Sequence, residues 1–319
     1  MRFINVRKLL IAIFTVVSVL ASQKVGAQYD PYFSHYFDMQ TSYNPAAAGK
    51  EAKLNIAAAY AMTMVGFEHA PQTVFLSGDM PFRVMNQVHG AGVQLMSDKI
   101  GLFTHQRIAG QYAVRKKTGE KGWLSAGVQA GLLTEAFRGS QIELNDDTDP
   151  VFTKSDIEGN GLDLGFGLLY RQSNWYVGVS GQHLTYPTIT IGETNEISVD
   201  GTYYVHGGVD FQLANPLLKF SASGIVLTDC VTYRADVTGR LIYNYDGRTF
   251  YGGLTYSPTN SVTLLVGGQF QGVVLGYSFE MYTNGISLRN GSHELFLGYQ
   301  MDVDLGKKGR NYHQTTRTL

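Results

Sequence analysis

One cysteine among 319 residues, Cys230, leaves no second thiol for an intrachain disulfide and none for a thiolate metal cluster. Long apolar runs are missing too. The longest, Leu9 to Leu20, falls well short of the roughly 20 residues that a membrane-spanning helix needs, and nothing like it recurs downstream. Nor is there an excess of charge: 25 basic residues stand against 26 acidic ones, so nothing in the balance attracts nucleic acid or another polyanion. If the mature chain enters a membrane, it spans as strands.

The chain opens on Arg2, Arg7 and Lys8, continues through the apolar run, and reaches Val25-Gly26-Ala27, the small-residue pattern of a signal-peptidase site. Residues 1–27 are therefore expected to be removed. Residue 28 is Gln rather than Cys, so the lipid-attachment cysteine of a bacterial lipoprotein is not at its expected position. The remainder is rich in glycine (37) and tyrosine (20) but only 16% charged. Such a composition suits a sheet with small residues facing a crowded interior and aromatics at membrane interfaces, although a soluble β-sandwich would share it. Periodicity has to decide.

Leu162, Leu164, Phe166, Leu168 and Tyr170 share one parity, and Asp163, Gly165, Gly167 and Arg171 the other. This is strand alternation. It recurs in Val231–Tyr243, where Thr232, Arg234, Asp236, Thr238 and Arg240 form the polar parity, and again near residues 203–213, 273–281 and 294–300. Segments of this kind begin near residues 53, 72, 88, 103, 121, 161, 174, 202, 217, 231, 248, 261, 272 and 292. The expected fold is thus all-β, an outer-membrane antiparallel barrel of about 14 strands over residues 53–302. Lys117-Thr118-Gly119-Glu120, Gln172-Ser173, Asn215-Pro216 and Asp246-Gly247 fall at one end as short periplasmic turns. The acidic stretch Glu135–Asn160 and the stretch His183–Gly201 fall at the other, as long outer loops. Charges of inward parity, including Arg171, Asp210, Arg234, Asp236 and Arg240, are expected to pair across the lumen.

Two ends lie outside this alternation. Residues 28–52 carry Tyr29, Tyr32, Phe33, Tyr36, Phe37 and Tyr43 and close with Asn44-Pro45-Ala46-Ala47-Ala48-Gly49. So many aromatics would not remain solvated, so the segment is expected to fold against or into the barrel floor, with a lumen-gating plug as the sharper alternative. Residues 303–319, with Lys307, Lys308, Arg310 and Arg317, read as a basic periplasmic tail.

Chemistry-bearing patterns do not emerge. The histidines at 35, 69, 89, 105, 183, 206, 293 and 313 show no HExxH and no paired ligand spacing, and Gly178-Val179-Ser180-Gly181 misses the nucleophile elbow by one residue. No catalytic residue, metal site or cofactor is expected. The Asp spacing between residues 146 and 156 is not that of an EF-hand, so no specific calcium site is expected there either.

An ordered set of strings carries a resemblance: Gln28-Tyr-Asp-Pro-Tyr-Phe-Ser-His-Tyr36, Ser42-Tyr-Asn-Pro-Ala-Ala-Ala-Gly49, Gly66-Phe-Glu-His-Ala-Pro-Gln-Thr73 with Leu76-Ser77, Tyr176-Val-Gly-Val-Ser-Gly-Gln-His-Leu184, and Gly291-Ser-His-Glu-Leu-Phe-Leu-Gly-Tyr299. Together they resemble the PorP/SprF family of the type IX secretion system of Bacteroidota. The family usually has a small residue where Glu68-His69 stand. The resemblance implies an outer-membrane protein needed for export of cargo bearing a C-terminal sorting signal, and in gliding relatives for adhesin secretion. It also implies periplasmic ring and motor proteins as partners besides outer-membrane lipid. A barrel of about 14 strands is too narrow for folded cargo, since porins of about 16–18 strands pass only small solutes, so the expected role is an accessory or docking subunit. Tyr29, Tyr32, Phe33, Asn44, Pro45, Lys307, Lys308 and Arg310 are the expected partner contacts. The alternative is a channel for small hydrophobic molecules, since the strand count and the N-terminal segment also resemble the long-chain fatty-acid transporters. A surface adhesin working through Glu135–Asn160 is a third reading.

Overall fold

The computed structural model describes residues 30–85, 87–141, 156–192, 195–258, 260–283, 285 and 290–305. Residues 1–27, Tyr29, Lys307, Lys308 and Arg310 lie outside them, as does most of the acidic stretch between Glu135 and Asn160.

Strands β1 (Lys53–Met62), β2 (Gln72–Val84), β3 (Gln87–Ile100), β4 (Phe103–Thr118), β5 (Gly122–Arg138), β6 (Asp156–Arg171) and β7 (Trp175–Gln182) build one half of the wall. After a small hairpin, β8 (Thr188–Ile191) and β9 (Asn195–Ser198), the other half follows as β10 (Thr202–Gln212), β11 (Leu218–Thr228), β12 (Tyr233–Tyr245), β13 (Arg248–Ser257), β14 (Ser261–Phe270), β15 (Val273–Tyr282) and β16 (Ser292–Asp302). Every wall strand pairs antiparallel with its neighbours, β7 pairs directly with β10, and β16 returns to β1 with Lys53 opposite Asp302. The result is a closed barrel of 14 strands, which leaves no edge unpaired.

Alternation sets the two faces. Along β12, Val237 is 62% exposed while its neighbour Thr238 is fully buried. The outward parity is apolar through the middle of the strands and ends in aromatics: Trp175, Phe211, Tyr245, Phe270 and Tyr299 near one end, Tyr60, Tyr203, Tyr256 and Tyr277 near the other. An apolar band between two aromatic girdles is what a bilayer requires of a barrel. No helix of the described residues is long and apolar enough to cross a membrane.

The predicted turns fall together at one end. Asp246 (φ 49°) and Gly247 (φ 70°) both take the left-handed conformation of a two-residue hairpin, and Tyr245 pairs directly with Arg248. Gly119, Gln172-Ser173 and Asn215-Pro216 turn at the same end.

The long connections differ from expectation. β5 runs on to Arg138 and β6 begins at Asp156, in register along their full length, so Glu135 and Asn160 belong to the wall and not to a loop. Their polarity has another cause: the buried Glu135 side chain hydrogen-bonds His105 from β4, and Thr134 donates to Asn160 at 2.6 Å. Within 183–201 the β8–β9 hairpin packs Ile189 and Ile191 onto Leu133, beside Phe137 and Ile157. It thereby folds inward over β5 and β6 at the long-loop end.

Candidate functional site

Residues 30–52 occupy the lumen. Locally the segment folds by its own capping chemistry. Asn44 Oδ1 accepts the Ala46 amide at 2.9 Å, Pro45 supplies the first position of a one-turn 3-10 helix (Pro45–Ala47), and Gly49 leaves it at φ 60°. A second such turn spans Gln40–Ser42.

The segment is pinned from all sides of the wall. On β16, Glu294 accepts the Ser34 and His35 amides at 2.5 and 3.0 Å and His35 Nδ1 at 2.6 Å. Tyr36 Oη meets Ser223 of β11 and Thr238 of β12, both at 3.0 Å. Asn44 Nδ2 reaches the Leu168 carbonyl of β6 at 3.1 Å and His206 Nε2 of β10 at 2.9 Å. Because the Asn44 oxygen is committed to Ala46, this nitrogen donates, so His206 accepts at Nε2 and carries its proton on Nδ1. Gln111 of β4 and Ser180 and Gln182 of β7 donate to the carbonyls of Thr41, Tyr43 and Ser42, and Asp79 of β2 accepts the Gly49 amide at 2.7 Å.

Apolar and cationic contacts add to these hydrogen bonds. Phe33 packs on Phe75, and His35 stacks on Phe296 at 5.5 Å. The Arg234 and Arg240 guanidinium groups lie 3.7 and 3.4 Å above the rings of Tyr32 and Phe37. The Pro45–Ala46 backbone lies so close to Gly127 of β5 that a Cβ there would overlap it. Gly90 of β3 makes equal room for Ala48.

At the leading end, Asp30 binds His183 Nε2 at 3.0 Å and Tyr204 Oη at 2.5 Å, with Arg107 at 3.7 Å. His183 Nδ1 faces Asp163 at 3.0 Å. Burial alone would lower the His183 pKa, but the Asp30 charge and the hydrogen bonds of Asp163 and Asp30 outweigh it and raise it to about 9. Burial also works against ionised Asp30, yet His183 and Arg107 hold its carboxyl far below the usual range. This latch ties the plug to the root of the inward-folded 183–201 stretch. Among the described residues no group of three or more His, Cys, Asp or Glu side chains is placed to hold a metal ion.

Compared with known families, residues 25–299 match the description of the type IX secretion system membrane protein PorP/SprF. The chain belongs to the PorP/SprF family. A comparison with the curated proteins finds no match. Among solved structures, the chain is similar to the toluene transporter TbuX of Ralstonia pickettii (13% identity, TM-score 0.49, covering 88% of this chain and 96% of that one). It is also similar to the monoaromatic hydrocarbon channel CymD (11%, 0.47, 86% and 94%) and to a Pseudomonas aeruginosa FadL homologue (11%, 0.47, 81% and 92%).

In this PorP/SprF protein the plug holds four of the eight expected partner residues. Phe33, Asn44 and Pro45 are buried and Tyr32 lies beneath Arg234, so the barrel wall engages these four, at separate places and not as one cluster. The inward charges pair, but with the plug or with near neighbours on the wall and not across an open lumen: Arg171 with Glu51 of the plug at 3.3 Å, Asp210 with Lys219 of the adjacent strand at 3.0 Å, and Arg234 with Asp236 and Glu280 at 2.9 and 2.8 Å, while Arg240 lies over the Phe37 ring. Sequence reading missed Asp30, Asp163, His183, His206 and Glu294 as a set. Its one available signal was inward-parity apolar residues such as Phe75 and Phe296, which interrupt an otherwise polar inner face and require a cover.

Proposed function

We propose that this outer-membrane component of the type IX secretion system works as a sealed subunit that docks cargo or periplasmic ring components, and is not itself the conduit. The observation that carries this reading is the plug: a lumen too narrow for folded protein is also filled by residues 30–52, hydrogen-bonded to strands on all sides. In this reading the short-turn end faces the periplasm, Tyr29, Lys307, Lys308 and Arg310 contact partners there, and Tyr32, Phe33, Asn44 and Pro45 hold the plug. A channel for small hydrophobic molecules, the alternative, calls for a continuous apolar passage. The cavity of about 310 Å³ left beneath the plug has a mixed lining instead, with Lys50, Asp79, Arg171 and Asp210 interspersed among apolar residues such as Ile56 and Phe296.

The test compares proteins released by a parent strain and by a strain lacking this chain, with outer-membrane integrity checked in both. Loss from the medium of proteins sharing the C-terminal sorting signal, with their accumulation in the periplasm, supports the proposal. Unchanged export refutes it and favours solute uptake.

A further inference from the structure

At the short-turn end, between the last residues of the plug and the ends of β4, β5 and β6, lies a cavity of about 230 Å³. Lys50, Arg115, Lys121 and Arg171 line it together with Trp123 and Ser125. Four cations meet in one pocket, and among the described residues no carboxylate lines it, although Asp79 and Glu51 lie close enough to act on Arg115. Glu51, beside it, is already bonded to Arg171 at 3.3 Å. Burial, reinforced by the charge of Arg171, pushes the Lys50 ammonium below its usual range, with Glu51 offsetting only part of the effect.

The geometry of Arg115 is the more specific observation. Its Nη1 donates to the Lys50 carbonyl at 2.7 Å, which fixes the guanidinium plane. The opposite edge, Nε and Nη2, is buried and meets no acceptor among the described residues. That edge presents two parallel N–H groups, the fork that matches both oxygens of a single carboxylate. Leaving a charged donor pair buried and unpaired is unfavourable, so this edge favours an acceptor from outside the described residues.

The position of the pocket selects among anions. Arg115, Ser125 and Arg171 share the inward parity, whereas their neighbours Val114, Leu124 and Tyr170 take the outward one. A headgroup in the surrounding leaflet would meet that outward face, while a segment entering the mouth of the barrel meets the guanidinium. Trp123 adds a flat amphipathic surface suited to a peptide backbone.

We propose that this pocket binds the carboxylate of an acidic peptide segment presented at the short-turn mouth, with Arg115 as the bidentate donor and Lys50, Lys121 and Arg171 as its charged surround. That the segment belongs to a periplasmic protein of the secretion system rests on the function proposed above; the carboxylate specificity does not.

The experiment uses the purified full chain in detergent at about 0.15 M salt, where unspecific surface attraction is screened. The probe is an acetylated, amidated tetraglutamate peptide, its control the tetraglutamine peptide, and the readout is calorimetry alongside the fluorescence of Trp123 in a Trp175→Phe background. Expected are saturable binding of the Glu peptide only and a loss of about tenfold or more in both Arg115→Gln and Arg115→Lys, since a point charge does not replace the fork. Lys121→Gln, an exposed turn substitution that leaves the barrel intact, should weaken binding about two- to fivefold. Absence of saturable binding, equal binding in the three variants, complete displacement by equimolar inorganic phosphate, or binding only of anionic vesicles would each overturn the assignment. None of these outcomes depends on the secretion comparison, so the two proposals fail separately.

Discussion

Replacing Asp30 by Asn keeps the size of the side chain and removes its charge, which isolates what the latch contributes to plug docking. The Asp30 carboxylate serves three groups: Tyr204 at 2.5 Å, His183 at 3.0 Å and Arg107 at 3.7 Å. Arg107 is 3% exposed, so the substitution strands a buried cation. Removing one partner of a buried pair costs about 3–5 kcal/mol. Arg107 keeps hydrogen bonds to Gln182 and to the Ser42 carbonyl, which offset part of that cost, so an effect just below this range is expected, about 2–3 kcal/mol, or roughly 30- to 150-fold more undocked plug. Cys230 is the sole thiol, so Cys230→Ser gives a silent background in which Ser34→Cys, buried in the plug, reports undocking by its reaction with a bulky maleimide. Asp30→Asn should raise the labelling rate by that factor while the barrel keeps its β-sheet spectrum. Labelling within about threefold of the parent would show that the latch does not hold the plug.

The same reporter tests three further expectations, and chemical unfolding a fourth. His183 has a pKa raised from 6.5 to about 9, so its contribution is complete below 6.5 and lost as pH rises through about 9. Asp30, depressed from 3.8, contributes above that value and loses its effect only as pH falls further. Divided by the rate of a free thiol at the same pH, labelling should therefore be slowest between about pH 4 and 6.5 and accelerate toward pH 9; a flat ratio up to pH 10 would contradict the charge pairing. Asn44→Ala removes the cap of the Pro45–Ala47 turn and the bonds to Leu168 and His206, costing plug docking about 1–3 kcal/mol. Gly127→Val sets a branched side chain against the Pro45–Ala46 backbone and should loosen the plug by about 1–3 kcal/mol, again read as faster labelling. Val128→Arg, on the lipid face near the middle of β5, should destabilise the barrel by about 2–4 kcal/mol in urea unfolding from vesicles, and a change below 0.5 kcal/mol would place that face elsewhere.

The barrel was legible because its solvent is inverted: a bilayer outside and a polar lumen inside imprint a period of two on every strand, from Leu162–Tyr170 to Leu295–Tyr299. Turn chemistry such as Asp246-Gly247 then fixed where strands end. The Glu135–Asn160 stretch misled for the same reason. An inward, carboxylate-bearing strand end such as Glu135 looks like a polar loop when its partner His105 is 30 residues away. The plug was visible as an aromatic segment that needed burial, but not its partners. Glu294 lies 259 residues from His35 and His206 lies 162 from Asn44, and no local pattern encodes a contact made only by closing the barrel. The unpaired edge of Arg115 was equally invisible, because it depends on which of three nitrogens the Lys50 carbonyl takes.

The most direct test of the sealed, non-conducting role is to fasten the plug in place and measure export. A benzophenone amino acid at Tyr36, whose hydroxyl lies between Ser223 and Thr238, crosslinks plug to wall on illumination in living cells. Secretion of cargo carrying the C-terminal sorting signal should continue at the unilluminated rate whatever fraction is crosslinked, whereas a fall in export in proportion to that fraction would mean that the plug must leave and that cargo passes through this barrel.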